Sequence, residues 1–322
     1  MTRYLVRRLL QMIPLLFLLS LLLFSALISM PGDPLYSMLE EIPRMTPEEY
    51  QRQRELYGLD DPIYVGYLKW LRQVVQGDFG YSQEYQVPVW ELIRPRLWNT
   101  LLLTVTAFII GKTIAILIGI YSAVHPYSPL DYAAMGVAFF GFAMPGFWLG
   151  LTLIIVFSVF LPWFPAGGIA TPNIGPGLWE IVTDRIQYLV LPVATLAFSE
   201  TASTTRYMRS SLLEVIRQDY ITNARSKGLS EKTVLFRHAL KNSLIPVVTV
   251  GALSLARLVA GSTVIETVFG YPGIGKLLFD SIMGSDFTVA MAILMLMSLV
   301  VIVSNLIADI LYAWLDPRIR YA

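Results

Sequence analysis

Long apolar runs separated by polar segments dominate the chain. A helix that crosses a membrane needs about 20 mostly apolar residues, each adding about 1.5 Å of rise. Six segments meet this requirement: Leu9–Met30, Asn99–Tyr121, Ala133–Leu161, Tyr188–Met208, Ser243–Ile265 and Thr288–Trp314. The pattern therefore predicts an all-α membrane protein with six transmembrane helices.

The first run follows Arg3, Arg7 and Arg8, an arrangement that also fits a cleaved signal peptide. The run is longer than the apolar core of most signal peptides, and no small-residue cleavage site follows it before Pro31. We therefore expect residues 1–30 to form an uncleaved N-terminal transmembrane helix.

Lys and Arg are distributed unevenly between the loops, which predicts the orientation of the chain. If the N-terminus is inside, 8 of these residues fall in the cytoplasmic loop from Arg206 to Lys241 and 2 in the C-terminal tail. The short external loops after the third and fifth spans then hold only Arg185 and Lys276. We expect a multi-pass protein of the cell membrane with both termini cytoplasmic.

The sequence predicts a small helical external segment over residues 31–98, and the other five spans lie in residues 99–322. A capping box at Thr46–Glu49 begins one helix of the external segment. A second helix with an apolar face covers Ile63–Gln76 and ends at Gly77. Two roles remain open for this segment: a cap on the outer ends of the spans, and a docking platform for an external partner.

The composition argues against nucleic-acid binding, a metal cluster and catalysis by this chain. Hydrophobic residues make up 55% of the chain and the mean hydropathy is +0.60, while a net charge of +1 offers no general attraction for nucleic acid. There is no cysteine, and two histidines are too few for a metal cluster. Gly270–Lys276 has the spacing of a P-loop, but Leu277 stands where Ser or Thr must hold magnesium. We expect no catalytic residue, metal or cofactor in this chain.

Residues 210–241, in the predicted cytoplasmic loop, have a helix–turn–helix pattern. One helix is predicted over Ser210–Lys227, with Gly228 as a left-handed C-terminal cap. Ser230 is a good N-cap for the next helix, which continues through His238. A loop held at both ends by membrane spans cannot easily reach a DNA groove, so the pattern favours an element that transmits force.

The stretch DYITNARSKGLSEKTVLFRHALKNSLIPVVTV resembles the EAA loop of ABC importer permeases, in the form found in the dipeptide/oligopeptide and nickel importer family. The segments PGDP, MPGFWLG, GSTVIETVFGYPGIGKLL and IADILYAWLDPRIR are similar to the same family, so the resemblance extends from end to end. Thr222 and Asn223 replace the Glu-Ala of the general EAA consensus, and the proline lies further downstream at Pro246.

The resemblance implies a type I ABC importer permease that carries di- or oligopeptides. Its partners would be a second homologous permease, two ABC ATPases that bind ATP and magnesium, an external substrate-binding protein, and membrane lipid. A short coupling helix around Ala224–Ser230 would sit in a groove of one ATPase. The residues implied in this contact are Ala224, Arg225, Lys227, Gly228, Leu229, Ser230 and His238. Arg225 and Lys227 have an alternative role, at lipid headgroups.

Other cargoes fit the same machinery: nickel chelates, glutathione, opines or oligosaccharides. A secondary transporter that works alone is the remaining alternative.

Charged residues inside spans usually face a cavity or a partner, because burying them in lipid is costly. Lys112, Glu200 and Arg257 lie in the second, fourth and fifth spans. They would either form a structural ion pair or line a water-filled pathway and contact a zwitterionic peptide. Glu200 has two possible partners, Lys112 and Arg257.

A tight turn is predicted at the external mouth of the fifth span. The residues that indicate it are Gly261, Glu266, Phe269, Pro272, Gly273 and Gly275. Glu266 would either hold this turn in place or meet the incoming substrate, and we favour the first role.

Overall fold

The computed structural model of the 322-residue chain describes residues 2–28, 62–82, 84–173, 175 and 177–315. For residues 2–9, 26–28, 255–261 and 311–315 it describes the backbone alone. The predicted capping box at Thr46–Glu49, the side chain of Arg257 and the surroundings of Gly261 therefore lie outside the described part.

The described residues fold almost entirely into helices. In chain order these are α1 (Thr2–Ile28), α2 (Ile63–Val75), α3 (Val89–Val124), α4 (Pro129–Ala143), α5 (Gly146–Ile154), α6 (Leu178–Ile216), α7 (Asp219–Ser226), α8 (Glu231–Thr233), α9 (Leu240–Val268), α10 (Ile274–Met283) and α11 (Phe287–Leu315). A π-helical segment, Ile155–Phe160, extends α5, and a second one, Val234–Ala239, joins α8 to α9. The all-α class predicted from the sequence is confirmed.

Three helices in the described part are long and apolar enough to cross a membrane: α3, α6 and the Phe287–Ile310 part of α11. The pair α4 and α5 would add a fourth span if the two helices are counted together. The described apolar part of α1, Leu10–Ser25, is shorter. The number of six spans therefore stays a prediction.

The predicted third span is broken in two, because α4 and α5 meet at an angle of 106°. Pro145 has no N–H to continue the helix, and its ring excludes the helical conformation for the residue before it. Met144 accordingly has an extended backbone with ψ 127°, and Pro145 itself has ψ 132°.

The chain divides into two compact units, residues 1–100 with 272–300, and residues 101–271 with 301–322. The core of the first unit consists of buried aliphatic residues from the start of α3, from α10 and from α11: Val89, Ile93, Ile274, Leu277, Leu278, Val289, Ala290, Ala292 and Ile293. Asp286 stabilises this unit, because its carboxylate accepts hydrogen bonds from Ser82 Oγ at 2.5 Å and from the amide of Val289 at 3.2 Å.

Helix α2 packs against the side of α1 in the first unit. Tyr67 is 2% exposed, and its ring centroid lies 5.6 Å from those of both Phe17 and Phe24. Its hydroxyl is 2.8 Å from Ser20 Oγ. A Cβ on Gly66 would lie 3.4 Å from the Phe24 ring, so the backbone of α2 is itself close to α1.

In the second unit α3 and α6 pack closely through three small residues spaced four apart on α3: Gly111, Ala115 and Gly119. A Cβ on Gly119 would lie 2.6 Å from Met208 Cβ, and one on Gly111 would lie 2.9 Å from the carbonyl oxygen of Ala197. Thr201 Oγ1 donates a hydrogen bond to the carbonyl of Gly111 at 3.1 Å. Small residues and hydroxyl groups are the usual means by which membrane helices approach one another.

A buried ion pair joins the start of α4 to α6. Arg209 donates from Nε to Asp131 Oδ1 at 2.7 Å and from Nη2 to Oδ2 at 2.6 Å. Asp131 is 1% exposed and also accepts from the amide of Tyr127 at 2.9 Å. Ser128 caps α4 by accepting from the amide of Asp131. Two parallel hydrogen bonds of this kind fix geometry more strictly than a single contact does.

Candidate functional site

The segment predicted as a coupling element begins with a break that the sequence analysis missed. Helix α6 ends at Ile216, and Gln218 is extended with φ −76° and ψ 147°. Its carbonyl accepts from the amides of Ile221 and Thr222, so Gln218 is the N-cap of a new helix, α7. The prediction of one helix over Ser210–Lys227 is therefore wrong: the chain turns at Gln218, and α7 ends at Ser226.

Helix α7 is firmly attached to the second unit through its apolar face. Ile221 is fully buried and Ala224 is 7% exposed. Both belong to a cluster with Val234 and Ala239 of the second π-helical segment, together with Ala123, Met208, Leu212 and Val247. Helix α7 is therefore packed against α6 on one side and against α9 on the other.

The turn after α7 has the conformation that the sequence predicted. Gly228 has φ +78°, a left-handed backbone that favours glycine, and its amide donates to the carbonyl of Arg225 at 2.9 Å. Ser230 Oγ accepts from the amide of Thr233, so Ser230 is the N-cap of α8. The predicted helix around Ala224–Ser230 is corrected by this geometry: Ala224 lies in α7, and residues 227–230 form the turn.

The surface of this segment is basic and partly apolar. Arg225 Nε lies 2.9 Å from Glu231 Oε1, and both side chains are exposed. Lys227 is exposed and His238 is half-buried within the second π-helical segment. Leu229 is 39% exposed and Phe236 is 59% exposed. The sequence analysis missed Phe236, since a single aromatic residue carries no distinguishing signal in a chain this apolar.

The charged residues inside the second unit are brought together as a pair. Lys112 Nζ lies 2.6 Å from Glu200 Oε2 and donates a hydrogen bond to Thr204 Oγ1 at 2.7 Å. The ammonium also lies 5.4 Å from the centre of the Phe108 ring. The sequence left the partner of Glu200 open, and the structure pairs it with Lys112.

Glu200 also lines an open cavity of about 450 Å³ between α4, α5, α6 and α9. The other residues of the wall are mostly apolar or small: Gly141, Phe142, Gly146, Phe147, Leu196, Val264 and Ile265, with the hydroxyl groups of Thr195, Ser199 and Ser203. Such a wall would accept an apolar side chain, and the one carboxylate that reaches it is already paired with Lys112.

The predicted turn after the fifth span begins where α9 ends at Val268. Phe269 is 1% exposed, and its carbonyl accepts from the amide of Gly168 at 2.8 Å. Glu266 is fully buried, and its carbonyl accepts from the amide of Tyr271 at 2.8 Å. Burial, with a smaller contribution from the Glu266 carboxylate, raises the pKa of Tyr271 to about 12, although Arg185 opposes this shift.

Pro272, Gly273 and Gly275 of the predicted turn belong to the first unit. Asn99 Nδ2 donates to the carbonyl of Pro272 at 2.8 Å. Gly273 is the N-cap residue of α10, and Gly275 is buried in the first turn of that helix. The loop thus leads into a short helix, a feature that the sequence analysis did not predict. The described residues contain no cluster of three or more possible metal ligands.

Two family models cover nearly the whole chain. Residues 115–321 match the model described as "Binding-protein-dependent transport system inner membrane component", and residues 1–104 match the model for the N-terminal part of such membrane components. The oligopeptide transport system permease protein AppB of Bacillus subtilis (strain 168) is 46% identical over 322 residues, 100% of both chains. The glutathione transport system permease protein GsiC of Escherichia coli (strain K12) is 38% identical over 321 residues, also 100% of both.

Among solved structures, an inward-facing form of the MetNI methionine ABC transporter is similar in fold. The TM-score is 0.56 at 18% sequence identity, over 70% of this chain and 96% of that chain. The two chains therefore share a helical fold over the matched part. On the family models and the full-length relatives, this chain belongs to the family of inner membrane components of binding-protein-dependent transport systems.

Proposed function

We propose that this chain is a transmembrane permease subunit of an ATP-driven importer of di- and oligopeptides. It forms the translocation pathway with a second homologous permease, and two ABC ATPases bind beneath it. ATP and magnesium bind to those ATPases, and this chain contributes neither catalytic residues nor a cofactor site. The full-length similarity to an oligopeptide permease supports the choice of cargo.

We propose that six spans cross the membrane, formed by α1, α3, the bent pair α4–α5, α6, α9 and α11. Both termini and α7 then lie on the cytoplasmic side. The eight basic residues between Arg206 and Lys241 support this orientation. An external binding protein delivers the peptide to the opposite side.

The attachment of α7 is the observation that carries this mechanism. Ile221 and Ala224 are buried against residues of α6 and of the segment that leads into α9. An ATPase that displaces α7 would therefore move α6 and α9 together. These two helices provide Glu200 and Ile265 to the wall of the cavity, so movement at α7 would change the shape of the cavity.

The cavity beside Glu200 is our proposed part of the peptide pathway. The Lys112–Glu200 pair places a cation and an anion close to an apolar wall, which suits a zwitterionic cargo with apolar side chains. A purely structural ion pair is the alternative, and it would stabilise the α3–α6 contact without touching the cargo.

The absence of cysteine makes the coupling contact directly testable. We expect a crosslinker at Leu229→Cys or Arg225→Cys to capture an ATPase in the assembled complex. Trp179→Cys is the matched control, because Trp179 is 78% exposed but lies near the start of α6, on the predicted external side. Failure of both coupling positions to capture a nucleotide-hydrolysing subunit would refute the proposal.

Cargo is tested by purifying the complex with its native partners and measuring ATP hydrolysis. We expect peptides to stimulate hydrolysis in the presence of the binding protein. Glutathione is the second candidate, because a full-length relative at 38% identity is a glutathione permease. Stimulation by nickel chelates, opines or oligosaccharides alone would exclude peptide as cargo. Transport by the chain in vesicles without ATPase would instead indicate a stand-alone transporter.

A further inference from the structure

Helix α2 has two apolar faces, of which only one packs against protein among the described residues. The face toward α1 is centred on Tyr67, which is 2% exposed. A second stripe runs along the helix at the spacing of successive turns, through Tyr64, Leu68 and Val75, which are 67%, 58% and 79% exposed. Arg72 and Gln73 are exposed on a third, polar face, and α2 contains no acidic residue.

The contact with α1 shows the depth at which α2 lies. Ser20, whose hydroxyl meets Tyr67, is at the centre of the apolar run Leu9–Met30. Phe24, the outermost contact, is about 6 Å further along α1 at the helical rise per residue. The hydrocarbon core extends about 15 Å on each side of the midplane. If α1 spans the membrane, Tyr67 packs within the hydrocarbon layer rather than above the end of the span.

The backbone of α2 lies at this depth too, and not only the long Tyr67 side chain. Gly66 comes so near α1 that a Cβ there would touch the Phe24 ring at 3.4 Å. At the same level the side of α1 that faces away from α2 is apolar and exposed, with Leu18 at 55% and Leu22 at 67%. Water at this level would meet apolar surface on both helices.

We propose that α2 is embedded in the outer leaflet of the phospholipid bilayer, with Tyr64, Leu68 and Val75 against acyl chains. Arg72 lies on the polar face and extends to the headgroup phosphates, as long basic side chains do at membrane surfaces. This inference rests on the proposed membrane span of α1. It replaces the two expected roles of a cap above the spans and a docking platform in water.

Single cysteines in the otherwise cysteine-free chain test this placement. Leu68→Cys and Val75→Cys are labelled with a fluorophore, and the complete complex is reconstituted in vesicles of phospholipid with or without brominated acyl chains. Gln73→Cys is the matched control on the polar face of the same helix, and Leu22→Cys reports on α1. Substrate-stimulated ATP hydrolysis by each labelled complex verifies that it is folded.

We expect brominated lipid to cause a loss of fluorescence at Leu68→Cys, Val75→Cys and Leu22→Cys. Aqueous iodide should quench Gln73→Cys several-fold more strongly than these three. Quenching of the Leu68 and Val75 labels by iodide, with Leu22 still quenched by lipid, would overturn the placement of α2 and leave the proposed function intact. If the Leu68 and Val75 labels are protected from iodide only after the binding protein is added, the stripe contacts a protein partner. That result would also overturn the placement of α2 in lipid. Iodide quenching at Leu22 would refute the span itself.

Discussion

The close approach of α3 and α6 predicts that Gly119→Ala destabilises the protein. The new Cβ would lie 2.6 Å from Met208 Cβ and 3.1 Å from the carbonyl oxygen of Thr205. Both atoms are fixed to the backbone of α6, so a rotamer change cannot relieve the clash. The helices must separate by about 0.8 Å to restore an ordinary contact of 3.4 Å. Overpacking of this kind costs roughly 1–3 kcal/mol, more than the roughly 0.5–1 kcal/mol that alanine gains over glycine in a helix.

Gly136→Ala is the matched control, because Gly136 lies within α4 and a Cβ there would have no neighbouring atom within 4 Å. We expect this variant to be as stable as the unmodified protein or slightly more stable. The measurement is the midpoint of thermal unfolding of the purified complex in one detergent. A midpoint for Gly119→Ala equal to or above that of Gly136→Ala would refute the close packing of α3 and α6.

Three further changes test other parts of the second unit. A Cβ at Gly228 would meet no neighbouring atom, so the cost of Gly228→Ala, roughly 1 kcal/mol, comes from the left-handed backbone alone. We expect Gly228→Ala to lower substrate-stimulated ATP hydrolysis more than Gly228→Asn does. Equal effects of the two variants would contradict a left-handed turn. Asp131→Asn removes the buried negative charge that pairs with Arg209 and should lower the free energy of unfolding by about 3 kcal/mol. An unchanged denaturation midpoint would disprove this. Glu200→Ala should reduce peptide uptake into vesicles while the complex still assembles. Normal uptake per assembled complex would assign Glu200 a structural role instead.

Features that depend on a few neighbouring residues were predictable from the sequence. The left-handed conformation of Gly228 and the cap at Ser230 follow from the geometry of glycine and of a serine hydroxyl next to free amides. The helix predicted over Ile63–Gln76 is present as Ile63–Val75, because its apolar spacing and the following glycine act locally.

Features that depend on tertiary contacts were not predictable in the same way. Arg217 and Gln218 are both good helix formers, so nothing in their propensities predicts the break before α7. The burial of Ile221 and Ala224 accompanies that break. Pro145 indicates a bend, but the angle of 106° depends on how α5 packs.

The Asp131–Arg209 pair shows a second limit. Asp131 has the appearance of an ordinary acidic residue in the first turn of a helix, and Arg209 that of one more basic residue near a cytoplasmic boundary. The two are 78 positions apart, and only the packing of α4 on α6 brings them together. Likewise, the sequence left two possible partners for Glu200, and only the packing of α3 on α6 brings it next to Lys112.

The ion pair between Arg225 and Glu231 affects how α7 and the turn of residues 227–230 would bind an ATPase. Its members lie 2.9 Å apart and are 41% and 73% exposed, a setting in which an ion pair contributes about 0–1 kcal/mol. Arg225 is thus already neutralised within its own chain, and a carboxylate on an ATPase would have to displace Glu231 at almost no net electrostatic gain. Contact with the ATPase would then come chiefly from Leu229 and Phe236 and from the exposed ammonium of Lys227, so high ionic strength should weaken the complex only in part.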